Sequence, residues 1–169
     1  SFVLAVLGAR RGLPAFFKAS AEAQAVAIST QSSLASLPAM LRGVKALGVD
    51  EAKADVVLPM AVAIFRATGP AMNLGVALYI AYWFGLELSP TQIAIGVAAG
   101  ATTTLGAVSL PGSVSFVSSI APICLAMGVP VEPLGLLIAV ETFPDIFRTL
   151  GNVTMDMAVT ATVAERQRD

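Results

Sequence analysis

The sequence predicts an all-α integral membrane fold, and three observations predict it. The first is composition: 56% of the 169 residues are hydrophobic and 12% charged, against about 45–50% and about 25% in an ordinary soluble domain. Mean hydropathy is +0.81. A soluble chain of this length needs more polar surface than these residues supply. The second is that the apolar runs are interrupted by Ser-rich, Gly-Pro or Pro-Gly stretches, where simple spanning helices would run on unbroken. The third is that the cations gather in two regions, from Arg10 to Lys53 and at Arg166 and Arg168, apart from Arg66 and Arg148. Other classes fall away on the same grounds. A net charge of −1 gives no general basic footprint for nucleic acid. Cys124 is the single cysteine and histidine is absent, so no internal disulfide, Cys/His metal cluster or imidazole proton shuttle is available.

Residues 1–12 read as the end of a preceding transmembrane helix. "SFVLAVLGA" is short of the roughly 20 residues a span requires. It also lacks the leading basic residue and the cleavage site of a signal peptide. Residues 13–49 hold two short apolar arms around "STQSSLASLP", which predicts a re-entrant hairpin, allowed where its tip is buried in protein or lines a cavity. An amphipathic helix–loop–helix on the membrane surface is the alternative. Residues 54–88 are long enough to span, but "FRATGP" (65–70) breaks them, because Pro70 removes a helical donor and disfavours helix before it. Residues 89–130 are again two arms, around "SLPGS" (109–113), and predict a second re-entrant hairpin. Residues 133–165 are the final transmembrane helix.

The positive-inside bias puts both flanks of the first hairpin and the C-terminus in the cytoplasm, and the loops at Glu87 and Glu132 outside. The Pro111-Gly112 tip is then an external gate. Hairpin plus span, twice, in opposite orientation, is an inverted-topology repeat, the pattern that points to a midplane substrate site.

The final helix carries the chemistry. At about 100° per residue, Glu141, Asp145, Arg148, Thr149, Asn152 and Asp156 fall within roughly 100° of arc, opposite Ile146, Leu150, Val153 and Met157. An ionisable stripe on a helix this apolar faces a bundle interior or an aqueous cavity. Asp145 and Arg148 suit a zwitterion: a carboxylate accepts from an ammonium, and a guanidinium forks onto a carboxylate. Pairing of Asp145 with Arg148 themselves is the structural alternative. Arg66, at mid-span, is the second anomaly.

These residues resemble the dicarboxylate/amino acid:cation symporter family, the glutamate-transporter-like proteins, in their C-terminal part. The match runs from the Ser-rich first tip through Leu58-Pro59 and the broken span to Pro111-Gly112. It is strongest at Asp145, Arg148-Thr149, Asn152-Val153 and Asp156. The resemblance implies the transport domain of a glutamate-transporter-like fold, moving as an elevator in a homotrimer whose N-terminal scaffold is absent from this chain. It also implies a multi-pass protein of the plasma or inner membrane. Asp145 would hold a substrate amino group and Arg148 a distal carboxylate, with Thr149 and Asn152 assisting. The tips, Gln31, Ser32, Ser33 and Val108, Ser109, would offer backbone N–H groups to the other carboxylate. Asn152 and Asp156 would serve sodium.

Two departures bear on the ion. The first tip reads Gln31-Ser32-Ser33-Leu34-Ala35-Ser36 where the family has a longer serine run. The family's Asn-Met-Asp-Gly-Thr falls on Phe65-Arg66-Ala67-Thr68-Gly69. With the amide and carboxylate gone and a cation between them, Arg66 is expected to pair with Asp156 in place of sodium, the alternative being a bond to a helix-end carbonyl. The expected function is secondary active transport of an anionic or zwitterionic small molecule, an acidic amino acid or dicarboxylate. Sodium coupling is altered or lost, the coupling ion being Na+ or H+, and no other cofactor is expected. Membrane lipids are the surroundings, and nucleic acid is not a partner. The competing functions are an anion-conducting channel and a transport-inactive scaffold or sensor. No nucleophile–base pair or phosphate loop suggests an enzyme.

Overall fold

The computed structural model describes residues 2–106 and 113–167. Among them there is no strand, and eight helices follow one another: α1 (Phe2–Leu7), α2 (Leu13–Thr30), α3 (Ser33–Ala46), α4 (Glu51–Ile64), α5 (Gly69–Trp83), α6 (Pro90–Gly106), α7 (Ser113–Met127) and α8 (Leu134–Arg166). The all-α expectation holds. Val108, Ser109 and the Pro111-Gly112 tip lie outside the described residues. Among the described residues, Glu51–Trp83 is the segment long and apolar enough to cross a membrane, 33 residues that include an 18-residue stretch of mean hydropathy 1.3. It contains the break between α4 and α5. The chain divides into two compact units, residues 1–67 with 149–169, and residues 68–148.

The first unit holds α1 to α4 and the C-terminal half of α8. Its α2 and α3 are joined by two residues. Gln31 ends α2 in the left-handed region, at φ 52°, where a residue with a Cβ sits only when its surroundings hold it there. Ser32 then caps α3, its hydroxyl accepting from the Ala35 N–H at 3.2 Å. The two helices pack closely at Gly43, where a Cβ would run into the Ala19 carbonyl and Met157. Around that approach lie Phe16, Ala23, Ala27, Met40, Val44 and Leu58, with Val153, Met157 and Ala161 of α8. Small residues matter here because in lipid the helices associate through van der Waals contact. Asp50 caps α4 by accepting from the Lys53 N–H at 3.3 Å, and α4 ends at Ile64 before the sequence "FRAT".

The second unit holds α5, α6, α7 and the N-terminal half of α8. Helix α5 restarts with Pro70 in its first turn, where a missing N–H costs nothing. Gly69 is needed there, since a Cβ would stand 2.8 Å from Thr104 Cγ2. Ser89 and Gln92 form a reciprocal cap at the start of α6, with bonds of 3.0 and 3.3 Å. The Gln92 amide also donates to the Met127 carbonyl at 2.9 Å, tying α6 to the end of α7. Ile80, Phe116, Ile120, Ile123, Met127 and Leu134 form the core. One face of α8 stays apolar and uncovered: Leu136, Val140, Phe143 and Phe147 are 55–70% exposed.

Candidate substrate site

Helix α8 places an ionisable cluster in the second unit. Arg148 is central, its side chain 12% exposed. Its Nε donates to Asp145 Oδ1 at 3.0 Å, and Nη2 lies 2.8 Å from the same oxygen. Nη2 also pairs with Glu141 Oε1. Nη1 donates to Asn73 Oδ1 on α5 at 3.0 Å. The spacing explains the assembly: Asp145 lies one turn and Glu141 two turns before Arg148, so all three share one helix face. Pro144 stands between the two acids within the helix and leaves the Val140 carbonyl without its usual donor. The Thr68 hydroxyl, in the break before α5, donates to the Arg148 carbonyl at 3.0 Å.

Asp145 and Arg148 are therefore brought together, and they are paired. Two members of the cluster were not among the expected site residues. Glu141 belongs to the polar stripe of α8 and could have been found from it. Asn73 is the one amide in the apolar run of α5 and is 3% exposed; a lone buried amide was the available signal. Beside the cluster lies a cleft of about 210 Å³, lined by Met72, Gly75, Val76, Tyr79, Phe116, Leu137, Val140, Glu141 and Pro144.

Thr149, Asn152 and Asp156 continue the stripe in the first unit and are 5%, 2% and 1% exposed. Oδ1 of Asp156 is buried without a hydrogen-bond partner, and the half-buried Arg66 is near enough for its charge to act on that carboxyl. At the first tip, the Gln31 N–H is spent on the Ala27 carbonyl at 2.9 Å and the Ser32 N–H on Thr30 Oγ1 at 3.3 Å. In the first turn of α3 the Ala35 N–H is taken by the Ser32 hydroxyl and the Ser36 N–H by the Ser32 carbonyl, while those of Ser33 and Leu34 have no partner within their helix.

The model of the sodium:dicarboxylate symporter family matches residues 1–166. The chain belongs to that family. Similar members include C4-dicarboxylate transport protein 1 of Pseudomonas aeruginosa, 30% identical over 99% of this chain and 38% of its own length. Excitatory amino acid transporter 2 of Homo sapiens is 34% identical over 83% of this chain and 24% of its own. The C4-dicarboxylate transport protein of Cupriavidus necator is 28% identical over 99% of the chain and 40% of its own length. The chain thus spans less than half the length of these symporter-family relatives.

The family name includes sodium, and hard cations take several oxygen ligands. Among the described residues no group of three or more His, Cys, Asp or Glu is placed to hold a metal. Asp156 and Asn152 offer oxygens, but the side chains of Phe65, Arg66 and Ala67 bring none.

Proposed function

We propose that this chain is the substrate-carrying part of a secondary active transporter for an acidic amino acid or a dicarboxylate, in the plasma or inner membrane. The observation that carries this is the buried Arg148 guanidinium on a long helix with an apolar outer face, held by acceptors that a substrate can replace. A carboxylate of the substrate takes one edge of Arg148, its ammonium takes Asp145, and Thr149 and Asn152 assist. At the first tip the Ser33 N–H is the donor left for the other carboxylate, since those of Gln31 and Ser32 are spent; Val108 and Ser109, expected to share this role, lie outside the described residues. The names of the relatives, C4-dicarboxylate and excitatory amino acid transporters, support this substrate class. The pairs α2–α3 and α6–α7 are re-entrant hairpins, and α4–α5 and α8 are the spans of an inverted repeat. The whole moves as an elevator, against a scaffold that also makes a homotrimer. Arg66 supplies to Asp156 the positive charge that sodium supplies in the usual scheme, so transport is independent of sodium.

The test is uptake of labelled aspartate, succinate and a neutral amino acid by the full-length protein in sealed vesicles, with and without sodium. Saturable aspartate uptake, unchanged by sodium, is expected. Unsaturating current that reverses at the anion potential would replace the carrier by a pore. Strict sodium dependence would refute the role given to Arg66.

A further inference from the structure

Both forked edges of the Arg148 guanidinium, Nε with Nη2 and Nη1 with Nη2, are engaged in this structure. Its Nε and Nη2 serve Asp145 and Glu141, and its Nη1 serves Asn73. A substrate carboxylate can fork onto the guanidinium with two bonds only by displacing one of them. Asp145 is needed for the ammonium, and Asn73 is neutral. Glu141 is the partner whose place a carboxylate would take, since it offers the same group to the same nitrogen.

Charge decides the manner of its departure. Glu141, Asp145 and Arg148 together carry one net negative charge. An acidic amino acid adds another, in a site where Glu141 and Arg148 side chains are 9% and 12% exposed. On its other side Glu141 meets the cleft of about 210 Å³, walled by Met72, Val76, Phe116, Leu137 and Pro144. That cleft has room for a carboxyl group to swing into, but apart from the Tyr79 phenol its walls are apolar and it offers a carboxylate no counter-charge. Among the described residues, the charged groups acting on Glu141 are Asp145 and Arg148 of its own helix. Helix α5 adds the Tyr79 phenol at the cleft and α7 adds Phe116, so neither supplies a counter-charge.

We infer that Glu141 is a proton-binding site of this transporter: it yields Arg148 to the substrate by taking a proton and swinging into the cleft. One acidic substrate and one proton then travel together, and the cluster holds the same net charge before and after binding. This rests on the transport function proposed above and adds to it the residue that carries the proton.

The experiment uses the full-length protein in vesicles, without sodium, under an inward gradient of about two pH units. At one proton per substrate, such a gradient supports roughly 100-fold accumulation of labelled aspartate at equilibrium, equivalent to about 2.8 kcal/mol. Wild-type protein should accumulate aspartate well above the outside concentration, and Glu141→Gln should bring the ratio to about one. Glu141→Asp should restore part of the response. In parallel, a pH indicator in weak buffer should report about one proton taken up per aspartate bound by purified wild type. Accumulation by Glu141→Gln equal to wild type would overturn the assignment. So would a wild-type stoichiometry near zero, which decides the matter even where the variant binds nothing. Saturable wild-type uptake that ignores the proton gradient defeats the Glu141 site alone. Absence of saturable uptake at every pH defeats the proposed transport and this site with it.

Discussion

Two ionisable centres sit on α8, two turns apart, and they are built in opposite ways. Around Arg148 acceptors are in excess: two carboxylates and an amide surround one guanidinium. Around Asp156 partners are short: the carboxyl is buried, Oδ1 has no hydrogen bond, and the cation acting on it, Arg66, comes from the break after α4. A crowded centre can release a partner to a ligand and remain satisfied. A sparse one has nothing to release, and its carboxyl needs the cation it has. The proposed exchange of ligands at Arg148 and the proposed fixed charge from Arg66 both rest on this difference.

The largest expected effect comes from breaking the crowded centre. Arg148→Gln leaves Glu141 and Asp145 buried together without their cation, which should cost about 3–5 kcal/mol of stability. Thermal unfolding in detergent would show this as a clear loss. Adding Glu141→Gln should return much of the stability, because one uncompensated acid is removed, while aspartate binding stays lost. Equal stability of the single and double variants would mean that Glu141 is not a true member of the cluster.

How much of this was legible follows from which interactions are local. The stripe on α8 is local, since its residues are three or four apart, and periodicity alone brings Glu141, Asp145 and Arg148 to one face. The break at "FRATGP" is local too, because Pro70 and Gly69 act on their own backbone. Asn73 is different. Its partner is 75 positions away, and nothing near it in sequence says which helix it will meet. The crowding was hidden for a related reason: the spacing shows that two acids can reach Arg148, but not that both do. At the first tip the last turn of α2 consumes the Gln31 amide through its bond to the Ala27 carbonyl, an amide that the sequence left available.

A smaller effect sharpens the sparse centre. Arg66→Met removes the cation acting on Asp156 without restoring the missing oxygen ligands. Sodium should then stimulate uptake, by about fivefold, near 1 kcal/mol, since the carboxyl is left to recruit a cation from solution. Uptake by the variant that does not respond to sodium would separate Arg66 from the coupling ion.

The smallest effect concerns the tie between α5 and the crowded centre. Thr68 donates its hydroxyl to the Arg148 carbonyl at 3.0 Å. Thr68→Val keeps the shape and removes the donor. The carbonyl can still accept from its own helix, so no oxygen is left bare, and the loss should be about 0.5–1.5 kcal/mol. That is well below the cost of losing the guanidinium, because the backbone bond holds α8 in place while the side chain holds the charges. Asn73→Ala, by contrast, strips an acceptor from the charged group and should cost more, about 1.5–3 kcal/mol. Measuring both by denaturant unfolding orders the two ties to α5. If Thr68→Val proves the costlier, the backbone tie at the break, and not the amide on the guanidinium, is what positions Arg148.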